Sequence, residues 1–145
     1  MRNIKFGILI VLFGSCNSER RHSNFRVIFN ENDYNFIGTK KDSNSRRISE
    51  YFIHKNDTSK RLVKAYWDNG KLLSSIFYHR RKKNGPMKMH DINGKLVFEG
   101  MYINDLQNGL TLYFKNDSVV DLQIFYRGRE LLLDSFVRMK LITGQ

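Results

Sequence analysis

The chain has 145 residues, 25 Lys and Arg against 14 Asp and Glu, a formal net charge of +11, one Cys and one Pro. That length holds one modest domain with a short appended segment and excludes a large multidomain enzyme. A content of 41% hydrophobic and 13% aromatic residues excludes wholesale disorder, and a lone Cys excludes both an internal disulfide and a Cys-based zinc site. The positive charge suits nucleic acid, an anionic membrane surface or an acidic partner, so the compartment has to be read first.

Residues 1–15 have the layout of an export signal: Arg2 and Lys5 ahead of the apolar run Phe6 to Phe13, then Gly14-Ser15. Eight apolar residues are too few to span a bilayer, which takes about 20. Cys16 follows the small pair directly. The segment resembles a bacterial lipoprotein signal, with Phe13 standing where that family has a small or aliphatic residue. The resemblance implies lipidation of Cys16 and an exported chain held at the cell envelope, with the outer membrane favoured. Residues 16–24 are polar and charged, as a tether would be.

Residues 25–61 read as N-terminal strands and a worn repeat. Phe25 to Phe29 and Tyr34 to Ile37 suggest strands around the turn Asn30-Glu31-Asn32-Asp33, Lys40 to Arg47 a polar loop, and Tyr51 to Asp57 a degenerate unit with His54 in the place of a tyrosine.

Residues 62–130 are periodic. Tyr78, Tyr102 and Tyr126 each follow an apolar residue at intervals of 24, the interval that also separates Asn84-Gly85 from Asn108-Gly109 and Asn69-Gly70-Lys71-Leu72 from Asn93-Gly94-Lys95-Leu96. A third copy of that tetrapeptide comes one residue early, as Asn116-Asp117-Ser118-Val119. Asn-Gly and Asn-Asp reach left-handed backbone easily and mark tight turns. The runs between them, such as Leu72 to Tyr78 and Leu96 to Tyr102, suit strands. The sequence therefore predicts an all-β, elongated antiparallel meander of hairpins, two strands per unit. Residues 131–145 read as a C-terminal cap, either a last strand pair or a short helix.

The repeat resembles the MORN motif, and more closely its variant in the YwqK-type proteins known as antitoxins. Phe98-Glu99-Gly100-Met101-Tyr102-Ile103-Asn104-Asp105, with Gly109 beyond, follows the MORN pattern, Asp105 replacing a Gly. The turns Asp68-Asn69-Gly70-Lys71-Leu72 and Asp91-Ile92-Asn93-Gly94-Lys95-Leu96 follow the variant. Gly70, Gly85, Gly94, Gly100 and Gly109, with the three tyrosines, are then the repeat-defining residues. The resemblance implies a hairpin-repeat architecture and, as an alternative function, neutralisation of a partner toxin.

No catalytic constellation is legible. His22, His54, His79 and His90 lack metal-ligand spacing, the carboxylates are scattered singly near turns, and no phosphate loop or nucleophile elbow occurs. Neither a metal nor a cofactor is expected. Recurring aromatics such as Tyr66, Trp67, Phe98 and Tyr113 read as packing between hairpins. One feature stands outside the repeat: Arg80-Arg81-Lys82-Lys83 fills the tip that reads Asn104-Asp105-Leu106-Gln107 one period later. Four charges on one tip suit phospholipid headgroups, lipopolysaccharide phosphates, an acidic protein, or simply water.

From Ala65 to Gln145 there are 12 basic and 8 acidic residues, so this tip carries the whole local excess. The sequence thus points to a non-catalytic binding or scaffold module, anchored to a membrane through Cys16 and meeting a protein partner. Export makes nucleic acid a poor partner.

Overall fold

The computed structural model describes residues 29–43 and 47–143. The signal segment, Cys16, the tether and all of the strand expected over residues 25–29 except Phe29 lie outside the described residues. Among the described residues nine strands follow one another in chain order across one antiparallel sheet: β1 (Tyr34–Lys41), β2 (Ile48–His54), β3 (Asp57–Tyr66), β4 (Leu72–His79), β5 (Lys82–His90), β6 (Leu96–Ile103), β7 (Leu106–Lys115), β8 (Ser118–Tyr126) and β9 (Arg129–Leu131). The chain is an all-β hairpin meander, and the short helix α1 (Ser135–Thr143) packs on β8 at its far end. Each strand pairs with the strand before and after it, so the fold is built from local hairpins and needs no crossover.

The core is thin. Among the described residues the buried hydrophobic side chains are Leu62, Phe77 and Leu122, joined by the buried polar Ser75 and Thr111. At the N-terminal end Phe29 and Tyr34 lay their rings against Phe77, at centroid separations of 5.3 and 5.4 Å. A 3-10 turn over Glu31–Asp33 is tied down by the Glu31–Lys64 ion pair at 2.7 Å.

Several expectations are corrected. Lys40 and Lys41 are not loop residues; they continue β1 and pair with Ser49 and Ile48. The boundary expected between residues 61 and 62 falls inside β3, because the N-terminal strands and the repeat share one sheet. Asn84-Gly85 and Asn108-Gly109 are not hairpin turns. They lie inside β5 and β7, where three residues bulge opposite one: 84–86 against Phe77, and 108–110 against Met101. The positive φ of Gly85 (+130°) and Gly109 (+101°) is spent on that bulge. Gly100 lies mid-strand in β6, where a side chain would run into the Phe98 ring and the Thr111 hydroxyl. Gly70 and Gly94 do sit in turns, at φ +80° and +84°.

The period also drifts. Gly85 pairs with Tyr102, but Gly109 pairs with Phe125 rather than Tyr126. The cause is the third turn. Residues 67–71 and 91–95 make five-residue loops, whereas Asn116-Asp117 closes in two residues between Lys115 and Ser118. Everything after it moves one place toward the tip, so Tyr126 keeps the interval of 24 without keeping the position of Tyr78 and Tyr102, and it is exposed.

Candidate anion-contact hairpin

Four two-residue hairpin turns among the described residues hold both positions in left-handed backbone: Arg80-Arg81, Asn104-Asp105, Asn116-Asp117 and Arg127-Gly128. This geometry matches the twist of the flanking strands, and Asn, Asp and Gly enter it at little cost. Arg80 (φ +50°) and Arg81 (φ +67°) do not. An ordinary side chain there costs about 1–2 kcal/mol per residue. Of the four turns, this one alone lacks an Asn, Asp or Gly.

The sequence places Arg80, Arg81, Lys82 and Lys83 together at a tip, and the structure divides them. Arg80 and Arg81 are the turn, while Lys82 and Lys83 open β5, pairing with His79 and Tyr78. Lys83 is half-buried, its ammonium 5.1 Å from the centre of the Tyr102 ring, so it is engaged within the sheet. Arg80, Arg81 and Lys82 are exposed.

Lys60 and Arg61 of β3 join them, which the sequence reading missed. Lys60 pairs with His79 on the side opposite Lys82, and Arg61 pairs with Tyr78 on the side opposite Lys83. The signal was present, since Lys60 and Arg61 stand one period before Asn84 and Gly85. Lys60 and Lys82 flank one histidine from two strand spacings, about 10 Å, which brings like charges together. Lys60 has a carboxylate neighbour in Asp57 at 3.4 Å, but Arg61, Arg80, Arg81 and Lys82 form no ion pair among the described residues. No acidic residue occurs between Asp68 and Asp91, so β4 and β5 contain none.

The tips on this end of the sheet are stitched to one another by backbone bonds. The amides of Arg80, Asp105 and Gly128 donate to the carbonyls of Ser59, Lys83 and Gln107 at 2.9, 3.0 and 2.8 Å. The cationic side chains therefore stand on a fixed row. Tyr78, beside them, is raised above the ordinary tyrosine pKa by burial and then by the Asp105 charge, so it stays neutral. Cations also stand at the opposite end: Lys71 donates to the Asn93 carbonyl at 2.9 Å, Lys95 pairs with Asp117 at 3.6 Å, and Lys40, Lys41 and Lys115 are exposed.

His54 packs edge-on against Tyr34 and accepts from the Asn56 amide, and the His90 carbonyl accepts from the Trp67 indole. Among the described residues no three His, Cys, Asp or Glu side chains are grouped to hold a metal ion, and no helix is long and apolar enough to cross a membrane. No protein-family model matches the chain, and no curated protein sequence matches it either.

Proposed function

We propose that the chain is a lipid-anchored binding module of the cell envelope, with the lipid on Cys16 and the hairpin sheet as the presented surface. The anchor half is supported by the order of Arg2, Lys5, the apolar run 6–13, Gly14-Ser15 and Cys16. The observation that carries the binding half is the Arg80-Arg81 turn. It keeps two unpaired cations in a backbone geometry that favours Asn, Asp or Gly, and a strained turn retained against a cheaper alternative points to a role for its side chains. The mechanism is presentation: the anchor fixes the module at a membrane, the tether sets its reach, and the stitched row of tips offers charge in a set order.

Labelled palmitate tests the anchor. It is expected to enter the chain and to be lost in Cys16→Ala, with the protein moving from the membrane to the soluble fraction. A Cys16→Ala chain that stays equally membrane-bound sinks the reading. Crosslinking in solubilised membranes, with and without Arg80→Asn/Arg81→Gly, tests whether the tip contacts a partner.

A further inference from the structure

The described residues begin at Phe29, which packs on the basic hairpin. Its ring packs on Phe77 of β4 at 5.3 Å, and a Cβ on Gly85 of β5 would lie 2.5 Å from its Cε1. The first described residue thus packs on the hairpin whose tip is Arg80-Arg81, three residues beyond Phe77 and four short of Gly85. Cys16 lies 13 residues before Phe29. Fully extended, that length spans at most about 45 Å. A membrane holding a lipid on Cys16 therefore lies within reach of the Arg80-Arg81 tip, where Arg61 and Lys82 add to the charge.

From this juxtaposition we infer that the β4–β5 hairpin tip, with Arg61 beside it, is a contact for anionic phospholipid headgroups and serves as a second membrane anchor that orients the sheet tip-down. The inference rests on the lipid-anchor reading above. Charge complementarity selects the occupant: Arg61, Arg80, Arg81 and Lys82 are exposed and have no ion pair among the described residues, and guanidinium groups match phosphate in bidentate geometry. Arg127 and Arg129, at the tip between β8 and β9 on the same end, extend the charge along the row.

The test uses the full chain carrying Cys16→Ser, so that no lipid contributes, sedimented with vesicles of phosphatidylglycerol mixed with phosphatidylcholine and with phosphatidylcholine alone. Binding to the pure phosphatidylcholine vesicles measures what the apolar segment 6–13 adds, which is common to all variants. Arg80→Asn/Arg81→Gly removes two charges and installs favourable turn residues, so it keeps the fold. It is expected to weaken binding to the anionic vesicles roughly 20–30-fold. Lys71→Gln/Lys95→Gln removes the same charge from the opposite end and is expected to leave binding within about twofold.

Equal losses in the two variants would mean that net charge alone attracts the vesicle, and would overturn the inference. So would unchanged binding in the tip variant, including the case where that variant instead loses a protein crosslink in cells. Palmitate labelling of the unmodified chain separates the two readings. Label without a tip effect sinks the headgroup contact alone, and absence of label sinks the anchor whatever the vesicles show.

Discussion

Lys83 and Asp105 bind each other twice. The Asp105 amide donates to the Lys83 carbonyl at 3.0 Å, and the Lys83 amide donates to Asp105 Oδ1 at 2.7 Å. The pair fastens the tip between β6 and β7 to the first residues of β5. Asp105 also stands in left-handed backbone, at φ +71°, which Asp tolerates better than Ala. Asp105→Ala loses an exposed charge-assisted hydrogen bond and gains backbone strain, so it is expected to lower stability by about 1–2 kcal/mol in urea unfolding. Asp105→Asn, which keeps an acceptor and the turn geometry, is expected to lose less than half of that. Equal losses would mean the reciprocal bond contributes nothing.

Arg80→Asn/Arg81→Gly is expected to stabilise the protein. Relief of left-handed strain at two positions is worth about 1–2 kcal/mol each, and the added freedom of Gly in the unfolded chain gives back about 0.5–1 kcal/mol. The net expectation is a gain of about 1–3.5 kcal/mol, seen as a higher thermal midpoint. A lower midpoint would show that the arginines stabilise their own turn, and would remove strain as an argument for function.

The meander was legible because alternating apolar runs and a repeated interval of 24 are features of local hairpins, and local hairpins are all this sheet contains. Bulges were not. Asn84-Gly85 satisfies the same backbone demand, a residue at positive φ, whether it closes a hairpin or bends a strand, and only the partner strand decides which. Tyr126 was misplaced for a related reason: counting residues assumes loops of equal length, and Asn116-Asp117 closes a shorter loop. The basic tip was legible as a charge run. Its enlargement by Lys60 and Arg61 depends on cross-strand register, which a run of like charges does not reveal.

Two glycines separate backbone strain from steric exclusion. At Gly70 (φ +80°) no atom lies within 4 Å of an added Cβ, so Gly70→Ala is expected to cost only the left-handed penalty, about 1–2 kcal/mol. At Gly85 (φ +130°) the added Cβ falls 2.5 Å from the Phe29 ring, so Gly85→Ala adds overpacking of about 1–3 kcal/mol. Phe29→Ala should remove that second part while leaving the first. A double-mutant cycle in urea checks it: additive losses for Gly85→Ala and Phe29→Ala would mean that Phe29 does not sit on the hairpin.

Acid should loosen the turns before the sheet. The Ser59 hydroxyl, at 2.6 Å, and the Ser59 amide hold the Asp57 carboxyl down at about 2. The Lys95 amide, followed by Asn93, holds Asp91 below its ordinary value. Both folded values lie below the unfolded value of about 3.9. Their contribution is therefore fully present above about pH 4 and is lost at lower pH, for Asp57 as pH falls through about 2. Thermal midpoints recorded across that window should fall steeply in the wild type and less steeply in Asp57→Asn and Asp91→Asn. Parallel curves in all three would place the acid sensitivity elsewhere.

One side chain ties the C-terminal cap to two strands. Arg138 of α1 reaches Asp121 of β8 at 3.1 Å and Glu130 of β9 at 3.4 Å. β9 pairs only with Ile124, Phe125 and Tyr126, so the outer side of β8 near Val120 and Asp121 faces the helix residues Arg138, Met139 and Ile142 instead of a strand. In a meander where each strand stabilises its neighbours, loosening one end stays local. Arg138→Ala is expected to raise amide exchange throughout 135–143 and in the first half of β8, by a factor corresponding to about 1 kcal/mol, and to leave β3 and β4 unchanged. Removing the chain from Leu133 onward would bare that stretch of β8 as an open edge, and such edges pair with other copies. Light scattering over a concentration series should then show self-association absent from the full chain; a truncated chain that stays monomeric, with unchanged exchange in β8, would mean that α1 does not protect the edge.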